Sequence, residues 1–171
     1  MLAGDRVRLR ALERDDLRTL WLQRNDLEVE ARVTDSRPTP KSLAAMQADF
    51  DALPGRGQSD CMTFAIEAAD EVVGRLDLWG IDPHNRLANI GIALRSSSWS
   101  KGYGSEAVAL VVDYAFTHLN LRKICLQYLA NDQRAAASYA KAGFVEEGRL
   151  RAHNWFEGDY HDLVHMARFR D

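Results

Sequence analysis

The sequence predicts a single α+β domain: one sheet with helices on its faces. Three observations carry that prediction. Residues 89–120, NIGIALRSSSWSKGYGSEAVALVVDYAFTHLN, read in order as strand, glycine turn and helix. Around this unit, short alternating or apolar runs of strand length are interspersed with stripes of helical period. Finally, 171 residues, 46% of them hydrophobic, suit one domain with a sizeable core, and there are no repeats, low-complexity segments or linkers.

The elements follow in chain order. Residues 6–10 alternate, with Val7 and Leu9 on one face, and make a first strand. Asp15 or Asp16 can cap a helix carrying Leu17, Leu20 and Trp21. Residues 25–40 have no clean period and hold Arg32, Arg37 and two prolines. Thr39 then reads as an N-cap with Pro40 at the first helical position, before a stripe of Leu43, Met46, Phe50 and Leu53. Residues 54–60 (PGRGQSD) read as a mobile loop.

Residues 62–67 and 72–79 are two strands of a hairpin, and 81–87 is a loop leading into a strand ending at Leu94. Val108, Val111, Val112, Ala115 and Leu119 mark the helix packed on the sheet, which Asn120 ends. A strand over 123–129 and a helix over 131–142 come next, with Gly143 placed as the residue after the helix cap. The tail, 144–169, holds two strands joined around Glu157-Gly158-Asp159.

A helix start presents unpaired N–H groups and a partial positive charge. Gly102 and Gly104 remove the Cβ atoms that would keep a ligand off that backbone. The turn is therefore a candidate anion pocket, most simply for a phosphate or pyrophosphate; a tight strand-to-helix turn is the plainer reading of the same residues. No Gly-Lys-Ser/Thr follows, so it is no P-loop, and the third glycine of a dinucleotide fingerprint is missing.

A net charge of −3 gives no argument for nucleic acid. No apolar run is long enough for a membrane span, and the N-terminus lacks a signal-peptide core. Cys61 and Cys125 are too few for a disulfide framework and read as buried free thiols in a reducing compartment, so a cytoplasmic location is expected. No motif supports a catalytic cysteine, and no metal is expected.

WSKGYGSEA, the helix after it and LRKICLQYLANDQRAAASYAKAGF together resemble the coenzyme A-binding core of the GNAT N-acetyltransferases. The branch most similar holds ribosomal-protein N-terminal and spermidine acetyltransferases, and the resemblance runs from RVRLRAL to GDYHDLVHM. It implies a central, mostly antiparallel sheet that splays between the strands at 89–94 and 123–129 to admit acetyl-CoA. It also implies transfer of the acetyl group to a primary amine (a protein N-terminus, a polyamine or a small-molecule amine) within a ternary complex, with a ribosomal-protein N-terminus slightly favoured. A catalytically silent acyl-CoA sensor is the alternative. A homodimer is the expected assembly.

The resemblance assigns the phosphates to the backbone of Ser100, Lys101, Gly102, Tyr103, Gly104 and Ser105, with Lys101 the cation within the turn. Trp99 stands where many members carry Gln or Arg. Pantetheine is implied along the backbone of Ile92, Ala93 and Leu94. Tyr139, in SYAKAGF, matches a tyrosine facing the cofactor sulfur and is the candidate general acid; packing against the sheet is its plainer role. The family's helix-start asparagine falls on Asn131 or, by the usual spacing from Phe144, on Asp132; Asn131 is preferred.

Many members carry a glutamate as base where this chain has Asn89, which can only orient a water. Asp77 and the loop residue His84 are alternatives, Asp77 as a site residue or as the ion-pair partner of Arg75. Trp79, Trp155, Phe156 and Tyr160, with Asp77, Asp82, Glu157 and Asp162, could receive a cationic amine. Arg151 and Asp162 read as a structural pair.

Overall fold

The computed structural model describes residues 1–33, 38–52 and 60–170. Its order is β1 (Leu2–Ala3), β2 (Arg8–Ala11), α1 (Leu17–Arg24), α2 (Leu27–Val33), α3 (Leu43–Ala52), β3 (Cys61–Ala68), β4 (Glu71–Asp82), β5 (Leu87–Leu94), α4 (Tyr103–Thr117), β6 (Lys123–Leu129), α5 (Gln133–Lys141), β7 (Val145–Phe156) and β8 (Asp159–Phe169). The expected α+β architecture holds. The eight strands among the described residues form one sheet in the order β1-β2-β3-β4-β5-β6-β8-β7. Every neighbouring pair is antiparallel except β5 with β6.

Strand alternation divides the sheet into two faces. Leu76 and Leu78 of β4 are fully buried in the core with Val108, Val111, Val112 and Ala115 of α4, the stripe that the sequence marks. Arg75, Asp77 and Trp79 alternate with them onto the other face, where α1 packs on β4 and α2 on β5 and β6. The β7–β8 hairpin turns at Glu157 (φ 51°) and Gly158 (φ 90°), as its tripeptide predicts.

Several expectations shift. Asp16 does not cap α1 through its side chain; it pairs with Arg10 at 2.7 Å and accepts the Glu13 N–H at 2.8 Å. Burial resists its ionisation, but Arg10 and that N–H outweigh it and hold its carboxyl below the usual range. The aperiodic stretch 25–40 hides α2, a helix of seven residues (27–33) too short to show a period. Ser42, not Thr39, starts α3: its Oγ accepts the Ala45 N–H at 3.1 Å and its carbonyl the Met46 N–H. Cys61 is exposed rather than buried, since it opens β3, and Cys125 is half-buried. Arg37, Leu53 and most of the loop at 54–60 lie outside the described residues.

Candidate active site

The turn before α4 is built as an anion site requires. Gly102 is the N-cap at φ 83°, a left-handed conformation that glycine adopts without strain. The first intrahelical bond runs from the Glu106 N–H to the Gly102 carbonyl at 3.2 Å, so the N–H groups of Tyr103, Gly104 and Ser105 have no partner within the helix. Glu106, the acid of this first turn, is turned away: its carboxylate accepts the backbone N–H groups of Arg6 and Val7 at 2.8 and 3.3 Å. A competing negative charge is thus drawn off the helix start. Lys101 and Ser100 are exposed at the mouth. Ser105 Oγ hydrogen-bonds Ser138 Oγ at 2.8 Å and ties α4 to α5.

Beyond this turn the sheet opens. β5 and β6 pair only at Leu87–Lys123, Ala88–Ile124 and Asn89–Cys125. Both strands then run on for several residues and diverge around a cavity of about 500 Å³. One wall is β5, with Asn89, Gly91, Ile92 and Leu94; the facing wall is β6, from Leu126 to Leu129. Ala93 does not line it, and of the six turn residues only Gly104 does. A Cβ built on Gly104 would lie 3.5 Å from Leu94 Cδ1 and 3.8 Å from Ile92 Cδ1, inside this lining.

The α4–α5 side of the cavity carries Trp99, Asp132, Arg134, Ser138 and Tyr139. Trp99 donates its indole N–H to the Leu94 carbonyl at 2.9 Å, and the Arg134 guanidinium stacks 3.6 Å from its ring centre. Asp132, not Asn131, caps α5 by accepting the Ala135 N–H at 2.9 Å, and it alone of the two lines the cavity. The preference for Asn131 is therefore displaced by one residue: Asn131 is exposed outside the wall.

Tyr139 is fixed from behind. Gly143 (φ 82°) lets the chain leave α5 in a Schellman turn, with the Phe144 N–H on the Tyr139 carbonyl and the Gly143 N–H on that of Ala140, both at 3.0 Å. Its ring sits between those of Tyr128 and Phe144, at 5.9 and 6.2 Å. Burial, helped by the Asp132 carboxylate and opposed by Arg134, pushes its phenol up to about 12. It is fully protonated at neutral pH, a donor and not a base.

The base candidates separate. Asn89 stands on the last rung before the sheet opens, in the wall. Asp77 is outside the lining: it accepts the Thr63 hydroxyl at 2.7 Å and pairs with Arg75 at 3.3 Å, which is the ion-pair role. His84 is exposed in a turn closed by Asp82, whose carboxylate accepts the N–H groups of His84 and Asn85 at 2.8 and 2.9 Å.

Of the acceptor aromatics, Trp79 reaches the wall, its ring packed over Gly91. Phe156 is buried in a small cluster with Leu129 and Leu163, while Trp155 and Tyr160 stack on each other at 5.0 Å, exposed on the hairpin. Asp162 pairs with Arg149 at 3.5 Å and accepts the Ala152 N–H at 2.9 Å; Arg149, not Arg151, is its ion-pair partner among the described residues.

Sequence reasoning missed Arg134 and Ser138 on α5, Val29 and Arg32 on α2, and Asn154 on β7, all in the wall. For Ser138 a signal existed: Asp132, Ala135, Ser138 and Tyr139 repeat at helical spacing. For α2 there was none.

Comparison with known proteins follows this geometry closely. The family described as acetyltransferase (GNAT) domain matches residues 6–145. An uncharacterized N-acetyltransferase, p20 of Bacillus licheniformis, is 31% identical over 95% of this chain and 92% of that protein. Spermidine N(1)-acetyltransferase of Escherichia coli K12 is 29% identical over 99% of this chain and 89% of its own length. The crystal structure of Vibrio cholerae spermidine N-acetyltransferase with CoA and spermine superposes with a TM-score of 0.87 at 28% identity, covering 97% of this chain and 96% of that one. With a splayed sheet, a glycine-capped helix at its mouth and most of its length accounted for by the family pattern, this chain belongs to the GNAT acetyltransferases, which draw on acetyl-CoA.

Proposed function

We infer that this acetyltransferase moves the acetyl group of acetyl-CoA directly onto a primary amine while both are held in the one cavity. The observation that carries the reading is the cavity itself: it runs between the diverging strands from the α4 helix start, past Tyr139, to the α2 side of the sheet. When bound, acetyl-CoA supplies an activated acyl group on a good leaving thiolate. The residues present fit it, since Gly104 leaves the wall open, N–H groups at the start of α4 suit phosphates, and among the described residues the β5 edge beyond Asn89 has no strand partner to its β6 side.

Each residue then has a physical task. The N–H groups of residues 103–105, with Lys101 and Arg134 close to that mouth, hold the phosphate end. The β5 edge at Ile92 and Leu94 offers main-chain groups to pantetheine and a donor to the acetyl carbonyl, while Ala93 faces β4. Tyr139 donates a hydrogen bond towards the departing sulfur. Asn89 orients a water that carries the amine proton away. A relative named spermidine N(1)-acetyltransferase supports an amine acceptor such as a polyamine, and one named ribosomal-protein-serine acetyltransferase supports a protein acceptor. The exposed Cys61 and half-buried Cys125, both free, support a reducing, cytoplasmic setting. A dodecameric structure of the Vibrio cholerae relative supports self-association, with the homodimer as the simplest unit to seek by sedimentation.

Thiol release from acetyl-CoA, read across a broad panel of primary amines, tests the reading. Amine-dependent release is the expected result; cofactor binding without release for any amine would return the protein to a silent acyl-CoA-binding role. Asp77→Asn is expected to keep turnover within about threefold and to cost at most about 1 kcal/mol of stability, as befits a partly exposed ion pair. Loss of all turnover with acetyl-CoA affinity intact would make Asp77 the base.

A further inference from the structure

On the acetyltransferase reading just given, the wall of the cavity farthest from α4 describes its acceptor. α2 brings Val29 and Arg32 there, β4 brings Trp79, and β7 brings Asn154. The Arg32 guanidinium sits 5.1 Å from the centre of the Phe156 ring, which is buried and holds it in place. Among the described residues its carboxylate partner is Glu28 at 4.0 Å, mostly exposed, a weak contact. Asn154 precedes Phe156 by two residues on β7 and so shares the face over which Arg32 stacks, and both side chains line the one cavity. Its Oδ1 is buried without a hydrogen-bond partner among the described residues. A buried acceptor with no donor is costly unless a ligand supplies one. Among the described residues the other charged groups of the cavity are Asp132 and Arg134, which pair with each other at 3.5 Å beside Trp99 and the start of α5.

An arginine fork beside a lone buried acceptor is complementary to one small fragment: an N–H donor with a carbonyl or carboxylate oxygen on the neighbouring carbon. It is a poor match for a polyamine, whose next positive charge would meet Arg32. We propose that the preferred acceptor is an amine bearing a carboxylate or amide carbonyl on the adjacent carbon, read by Arg32 and Asn154. Asn154 accepts an N–H of the amine, and Arg32 donates to the oxygen. Arg32 is in this sense a specificity-determining residue.

The test compares amines of one carbon skeleton in three forms, the α-amino carboxylate, its α-amide and the decarboxylated amine, with spermidine alongside, reading kcat/KM. For the wild-type protein one of the two oxygen-bearing forms is expected to exceed both the decarboxylated amine and spermidine by about 10-fold or more. A winning carboxylate identifies a free amino acid as the source, and a winning amide identifies a peptide N-terminus. Arg32→Met should erase that preference mainly through KM, and Arg32→Glu should invert it towards spermidine, with acetyl-CoA affinity unchanged in both. Asn154→Leu should weaken all amines together. Turnover that favours spermidine, or a preference that survives Arg32→Glu in a folded protein, would overturn the proposal while leaving the acetyltransferase reading standing. Absence of amine-dependent turnover in any arm would overturn both.

Discussion

Gly104→Val is expected to lower acetyl-CoA affinity by at least about 100-fold, a loss of about 3 kcal/mol, in a protein that still folds. Gly104 is the second residue of α4 and lines the cavity. A Cβ there finds ordinary contacts at 3.5 Å or more with Leu94 and Ile92, so the fold has room for the first added carbon. Helix propensity changes little between glycine and valine. What the branched side chain occupies is the approach to the N–H groups of the first turn, and a ligand phosphate displaced by one side chain loses several of those bonds together. Calorimetry with acetyl-CoA, beside a thermal melt, measures both halves of the expectation. Gly104→Ala should fall between the two. Unchanged affinity in a folded Gly104→Val protein would remove the phosphate assignment from this turn.

Tyr139→Phe is expected to reduce turnover by about 10–100-fold with little change in acetyl-CoA affinity. The range sits at the low end of what a positioned acid contributes, and the reason lies in the phenol. With its pKa raised to about 12 by burial and by Asp132, it lies about 3.5 units above an ordinary thiol. Complete proton transfer to a thiolate is therefore uphill, and the hydroxyl acts by hydrogen bonding as charge develops on sulfur. Phenylalanine keeps the packing with Tyr128 and Phe144, so stability should barely move. The loss should appear in single-turnover rates as well as in steady state. Since the phenol stays protonated throughout the neutral range, the pH–rate profile should keep its shape in the variant and differ only in height. Wild-type single-turnover rates would return Tyr139 to a packing role.

The legible and illegible parts of the sequence divide along physical lines. The α4 stripe, the Gly143 cap and the 157–159 hairpin turn were readable because periodicity and positive φ leave marks on residue type. The splay was readable only through resemblance: nothing in Asn89 or Cys125 says that the ladder stops there. Helix α2 was invisible, since seven residues make two turns and its buried members, Val29 and Glu30, are adjacent in sequence. Arg32 and Asn154 were invisible for a related reason. They line one cavity because a short helix packed on β5 and β6 also reaches Phe156 near the turn of the tail hairpin, a tertiary fact with no local signature. Asn131 lost to Asp132 over a cap hydrogen bond, where either side chain would have satisfied the same rule.

The opening between β5 and β6 has a thermodynamic consequence. Five strands stand on one side of it and three on the other, joined in the sheet by three rungs. A ligand that lays its own amides along the bare β5 edge becomes, in effect, a ninth strand shared by two half-sheets. Occupancy and cohesion are then linked: at 100 times the dissociation constant the bound state gains about 2.7 kcal/mol over the unliganded one. That gain should slow exchange at every amide whose opening releases the ligand, those of Ile92, Leu94 and Leu126 to Leu129 beside the gap among them. On that reading the co-substrate is also a girder, which each turnover briefly removes and replaces.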